Sequence, residues 1–311
     1  MSLIVSLFSK HANIINLKQR TNMTWFILSL SSAFFSASLS AWLKKHFSDL
    51  SHFELAICPL FFSIPPLLII YLLIPKPEFQ IEYWYSLLKL LPFQIVGFFC
   101  QMIAIHISPL SLTMPFLAFT PAFVMITGAF FLNESLNTWG IMGIVSIIAG
   151  AYILHINPKD RRMLTTISSM FTNIGSMIML LAAFCYGFAA VFGKKAILCS
   201  SPLYMGMHFF ILFNGLMTIV FICCGKIRIK QLLQRYPQGI IAGLAMFGEI
   251  LSHCLGVSIA KVAYFVSVKR MNIIISIVYA GLLFKEENLI VRSVGATFMV
   301  IGAFVILIFG N

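Results

Sequence analysis

Residues 131–151 read FLNESLNTWGIMGIVSIIAGA, and residues 283–303 read LFKEENLIVRSVGATFMVIGA. In the first stretch Glu134, Gly143 and Gly150 are spaced nine and then seven residues apart. In the second, Glu286, Gly295 and Gly302 keep that spacing 152 residues later. The neighbours agree: Phe131-Leu132-Asn133-Glu134 parallels Leu283-Phe284-Lys285-Glu286, and Gly150-Ala151 parallels Gly302-Ala303. Near the front of each half, Ala33-Phe34 and Lys44-Lys45 return as Ala183-Phe184 and Lys194-Lys195 at an offset of 150. Two separate matches at nearly one offset imply a duplicated half.

The solvent of both halves is set by composition. The chain has 311 residues, 60% hydrophobic and 10% charged, with a mean hydropathy of +0.98. A soluble domain carries about 25% charged residues, so this one belongs in a bilayer. Charges are missing from residues 21–43, 55–75, 90–133, 135–158, 163–193, 196–225 and 293–311. A helix needs about 20 apolar residues to cross the hydrocarbon core. The pattern predicts ten transmembrane helices near 24–43, 53–74, 85–107, 110–132, 138–156, 174–193, 203–224, 238–260, 262–284 and 290–309. The expected organisation is a tail over 1–23, a five-helix repeat over 24–157, a connecting loop over 158–173 and a second five-helix repeat over 174–311. Five crossings is an odd number, so the second repeat must sit upside down, the geometry of alternating access around a site between the halves. The fold class expected is therefore all-α integral membrane, with two inverted five-helix repeats. Gly143 and Gly150, like Gly295 and Gly302, lie two helical turns apart on one stripe, where small residues let helices approach closely.

The twice-occurring Phe/Leu-x-x-Glu-x8-Gly-x6-Gly, with Pro121 thirteen residues before Glu134, resembles the EamA-type branch of the drug/metabolite transporter superfamily. The resemblance spans about Thr24 to Phe309; Ile273 replaces the proline in the second half. It implies a carrier with a central cavity for small metabolites such as amino acids, nucleotide-related compounds or drugs, acting without a cofactor and not as an enzyme. Members of one fold differ in substrate, so the family alone does not name one.

Glu249, Lys269 and Arg270 are charged where a bilayer should exclude charge. If Lys269 and Arg270 lay outside, the ninth span would shrink to residues 271–284, too short to cross. A charge at mid-membrane costs about 2.5–3.5 kcal/mol on insertion scales and usually faces a cavity or a partner. The expectation is that one cation pairs with Glu249 and the other meets substrate, Arg270 being suited to bidentate carboxylate or phosphate recognition. A self-neutralising structural network is the alternative. Aligned at 152, the first-half counterparts are Leu117, Ala118 and Gly97, so this charge belongs to one repeat. A Lys-Arg pair of this kind also occurs in some transporters that the chain resembles. His253 follows Glu249 by one turn, a spacing open to a proton relay, a metal pair or ordinary hydrogen bonding. Gln101, Thr120, Tyr264 and Asn272 are candidates for neutral substrate contacts, Thr120 and Asn272 being equivalent in the repeat. His106 and His208 read as interhelical hydrogen-bonding residues. Glu134 and Glu286 read as caps for the helix that follows each. Trp25, Tyr83, Trp84, Tyr85 and Trp139 fall near span ends, where an aromatic belt would sit.

These readings favour a secondary transporter for a small anionic or zwitterionic metabolite, with a proton or a counter-substrate as the coupling partner left open. An integral-membrane lipid-modifying enzyme or lipid-carrier flippase is the alternative, but the nine acidic residues are scattered and D-x-x-D, H-x-x-x-H and G-x-S-x-G are absent. The seven cysteines include no C-x-x-C pair, and no metal site is expected. The net charge of +12 is read as juxtamembrane lysine and arginine facing lipid, with no nucleic-acid partner. The expected place is a bacterial-type cytoplasmic (inner) membrane. Orientation stays open: seven Lys and Arg on the terminal side against ten on the other favour termini outside, whereas the resemblance implies cytoplasmic termini.

Overall fold

The computed structural model describes residues 2–78, 80–108, 110–154, 173–225, 227–284 and 289–310, and among them every regular element is α-helical. In chain order these are α1 (Ser2–His46), α2 (His52–Leu73), α3 (Ile81–Ile107), α4 (Leu110–Leu117), α5 (Thr120–Leu132), α6 (Thr138–Leu154), α7 (Ile174–Leu198), α8 (Pro202–Cys223), α9 (Ile229–Gln234), α10 (Tyr236–Ile259), α11 (Val262–Lys269), α12 (Asn272–Phe284) and α13 (Leu289–Phe309). Among the described residues eight stretches are long and apolar enough to cross a membrane, including Asn22–His46 within α1, Thr113–Leu132 across α4 and α5, and Val262–Leu283 across α11 and α12. Two shorter apolar helices, Thr138–Leu154 and Val294–Phe309, accompany them. Large apolar side chains such as Leu73, Phe130 and Leu282 are about three-quarters exposed, which water would penalise and lipid does not. The predicted loop over 158–173, apart from Asn173, and the predicted cap Glu286 lie outside the described residues.

Two spans that the sequence presents as continuous are broken. The fourth stops at Leu117 and restarts at Thr120; the ninth stops at Lys269 and restarts at Asn272, in both cases the same boundaries 152 residues apart. At each break the backbone tightens to three-residue hydrogen bonds: Phe119 N–H to the Phe116 carbonyl and Ala122 N–H to Phe119, then Met271 N–H to Val268 and Ile273 N–H to Arg270. In the first half Pro121, at the start of α5, has no N–H to continue the ladder, and the Thr120 hydroxyl donates to the Leu117 carbonyl at 2.7 Å. The second half breaks without a proline, so its sequence carries no local warning.

The four motif glycines meet in pairs. A Cβ on Gly143 would stand 2.8 Å from the carbonyl oxygen of Gly302, and one on Gly302 2.6 Å from that of Gly143. Gly150 and Gly295 face each other in the same way, at 2.5 and 2.6 Å. The helices α6 and α13 thus cross backbone to backbone at two points, with the first glycine of each motif facing the second of the other. A β-branched residue has nowhere to go here, since backbone cannot yield as a side-chain tip would. Gly295→Val is expected to destabilise by about 3 kcal/mol, at the upper end for overpacking, and Gly215→Val, where a Cβ meets nothing, far less. Thermal unfolding of the two purified variants compares them.

Each end of the bundle is held differently. At the end carrying residues 133–137, 199–201 and 260–261, α5 packs against α11; at the opposite end no comparable packing joins α4 and α12 among the described residues. Instead Arg235 clamps Asp49 at 2.6 and 2.8 Å, and its guanidinium holds that exposed carboxyl below the usual range. The aromatic belt needs correcting. Trp84, Tyr85 and Trp139 are exposed as expected, but Trp25 and Tyr83 are buried, because Tyr83 points inward to hydrogen-bond the His208 Nδ1 at 2.6 Å.

Candidate functional site

The break in the ninth span carries the charges. Lys269 is the last residue of α11 and Arg270 caps it, so the two cations sit where the helix stops, not on one uninterrupted helix as the sequence reading had it. Lys269 Nζ lies 2.9 Å from Glu249 Oε1 on α10, both side chains mostly shielded. This assigns Glu249 its partner and leaves the guanidinium for something else. Arg270 lies within electrostatic reach of Tyr186 on α7 as well as Glu249, yet its Nε is buried with no hydrogen-bond partner. Buried donors are nearly always satisfied, so an orphan on a charged group marks a place where a ligand atom can stand.

Neutral groups gather around it. Tyr186 donates its hydroxyl proton to Gln101 Oε1 on α3 at 2.6 Å. Its ring packs 3.0 Å from where a Cβ on Gly97 would stand, the position equivalent to Glu249 in the repeat. Asn272, first residue of α12, approaches Ser36 on α1 at 3.4 Å, and its Oδ1 is a second buried atom without a partner. Two residues further along α1, Ser38 hydrogen-bonds Tyr279 at 2.8 Å. His253 packs edge-on against Phe265, its Nδ1 also unpartnered. Among the described residues no group of three or more His, Cys, Asp or Glu is placed to hold a metal ion.

The structure does not bring all the sequence candidates together. Thr120, though equivalent to Asn272, is buried and spends its hydroxyl on the Leu117 carbonyl. Tyr264 is fully buried at the far end of α11, where it packs on Gly140 and reaches Asn137 at 3.5 Å. It belongs to a second cluster centred on Glu134. One carboxylate oxygen takes the Lys194 ammonium at 2.5 Å, the other accepts the Val262 N–H at 2.8 Å, and Lys194 also donates to the Ala260 carbonyl. Glu134 therefore does cap a helix, but that of α11, 128 residues on; Asn137 caps α6 through the Gly140 N–H. Lys194, which the net charge places only among the juxtamembrane cations, lies within α7 and is buried there. Its recurrence with Lys44-Lys45 was the available signal. Tyr186 and Ser36 had none, being ordinary residues of apolar helices.

A multi-pass integral membrane protein, all helical where described, with charged and polar side chains gathered at two interrupted spans, is the class this fold and site define. Within it, residues 23–156 match the EamA-like transporter family, consistent with the drug/metabolite transporter superfamily that the motif resemblance pointed to. No curated protein matches the sequence. In fold, one of 28 similar solved chains, described as "Crystal structure of protein", superposes with a TM-score of 0.70 at 11% identity, covering 91% of this chain and 96% of its own. At that identity the likeness shows the fold alone.

Proposed function

We propose that the protein is a secondary transporter that moves a small anionic or zwitterionic metabolite by alternating access between two inverted five-helix halves, residues 24–157 and 174–311. The observation that carries this reading is the orphaned Nε of Arg270 at the break between α11 and α12. The guanidinium offers two parallel N–H groups to a carboxylate or phosphate. Asn272 supplies a further polar contact beside it, and Gln101 holds Tyr186 in place. Lys269 and Glu249 neutralise one another, so the site presents one net positive charge. Recurrence of helix boundaries and breaks at 152 supports the two-half mechanism, because similar halves can exchange conformations. In that exchange the Glu134–Lys194 cluster is the seal of one end. The seal is made where α5 meets α11, so opening this end requires the two to part.

The test is uptake into vesicles reconstituted with the purified chain. Saturable accumulation of an amino acid or a nucleotide-related anion, lost on competition by anionic analogues and insensitive to cationic ones, is the expected result. Preference for cations, or flux that never saturates, would overturn it. The same vesicles, with a pH gradient or a preloaded counter-substrate, read the coupling partner, for which Glu249 and His253 are the titratable candidates.

A further inference from the structure

Beside the central site, α3 and α7 enclose a second polar place on the outside of the bundle. Glu82, Tyr85, Ser86 and Lys89 of α3 and Phe192 and Lys195 of α7 line a cavity of about 190 Å³. Lys89 stands eight residues past Ile81, about 12 Å along the helix and one turn deeper than Trp84 and Tyr85. Its ammonium lies 5.8 Å from the centre of the Phe192 ring, and neither it nor Lys195 has a carboxylate at ion-pair distance among the described residues. The flanks of this groove are apolar and exposed: Ile81 and Leu88 on α3, Phe184 and Leu198 on α7. That is the pattern of a lipid-facing wall, and two lysines on it call for an anion that arrives through the membrane.

We infer that this groove binds the phosphodiester headgroup of an anionic phospholipid, with Lys89 and Lys195 as its cations, Ser86 and Tyr85 as hydroxyl donors, and the acyl chains lying along Leu88 and Phe184. Basic pockets between transmembrane helices recognise lipid headgroups in this way. Lys195, three residues from the end of α7, meets the headgroup at its ordinary depth, while Lys89 reaches up from below on its flexible stem. Glu82 at the rim leaves the lining side chains with one net positive charge, which suits the single charge of a diester better than the nearly doubled charge of a phosphate monoester. The site lies on the outer wall and uses none of the residues assigned to transport, so it stands or falls separately from that reading.

The full chain is purified, stripped of lipid in detergent, and mixed with phosphatidylglycerol, phosphatidylcholine or inorganic phosphate. The expected result is retention of one phosphatidylglycerol by native mass spectrometry and a higher Tm with that lipid alone. The pair Lys89→Gln with Lys195→Gln is expected to lower retention at least tenfold and remove the Tm gain. Lys76→Gln with Lys230→Gln, the same charge change elsewhere, is expected to keep both, and Lys89→Arg with Lys195→Arg is expected to keep retention. Equal retention by the first pair and the unchanged protein would overturn the assignment. So would equal stabilisation by inorganic phosphate, which would mark a soluble anion as the ligand.

Discussion

Arg270→Ala is expected to raise the concentration needed for half-maximal uptake at least 20-fold, or to abolish transport in the measurable range, while leaving the yield and Tm of the purified protein close to normal. Truncating one partner of a buried charged hydrogen-bond pair costs about 2–5 kcal/mol, and every 1.4 kcal/mol is tenfold in affinity. No protein carboxylate is paired with this guanidinium among the described residues, so its removal strands no charge. Arg270→Lys keeps the charge and loses the planar fork, and should fall between the two. Lys269→Ala is different in kind: it leaves Glu249 as an uncompensated shielded carboxylate, and removing one member of a buried pair costs about 3–5 kcal/mol. Its lost transport would come with lost stability, and Lys269→Met combined with Glu249→Gln should recover the stability. Normal uptake by Arg270→Ala would remove the guanidinium from the substrate site.

Breaking the Glu134–Lys194 pair should cost as much. Lys194 and Glu134 are almost wholly enclosed, and Glu134 also holds the first N–H of α11. Glu134→Gln preserves shape but leaves a buried ammonium without its counter-charge, a loss of about 3–5 kcal/mol that should appear as a Tm lower by on the order of 6 °C or more. Glu134→Gln with Lys194→Met should regain most of it. Two single variants and the pair, each measured by thermal unfolding, close the cycle. If the two single losses sum to the loss of the double variant, the contact is not an energetic pair. A large coupling would also account for the place of Glu134: it fixes where α11 begins, and seven residues later α11 ends at Lys269.

Much of this was legible before any coordinates. Gly143, Gly150, Gly295 and Gly302 announced a close crossing, because two small residues two turns apart can serve little else in lipid. Glu249, Lys269 and Arg270 stood out because charge is so scarce around them. Other features were not legible, for identifiable reasons. Ile273 has an N–H and no helix-breaking chemistry, so nothing local marks the second break. Glu134 and Val262 are 128 residues apart, and a cap read from sequence is always assigned to its neighbour. Tyr264 and Asn272 look equally plausible as cavity residues on one helix, but the break after Lys269 leaves Tyr264 in α11, beside the Glu134 cluster, and makes Asn272 the first residue of α12.

The sequence by itself determined the solvent, the small-residue stripes on α6 and α13 and the identity of the buried charges, because these follow from composition and from spacing along one helix. Only the tertiary structure decided which cation answers Glu249, where the spans break, and which residues share a site. Those depend on distances between segments far apart in the chain, and such distances are set by packing and by the pairing of charges that lipid cannot solvate.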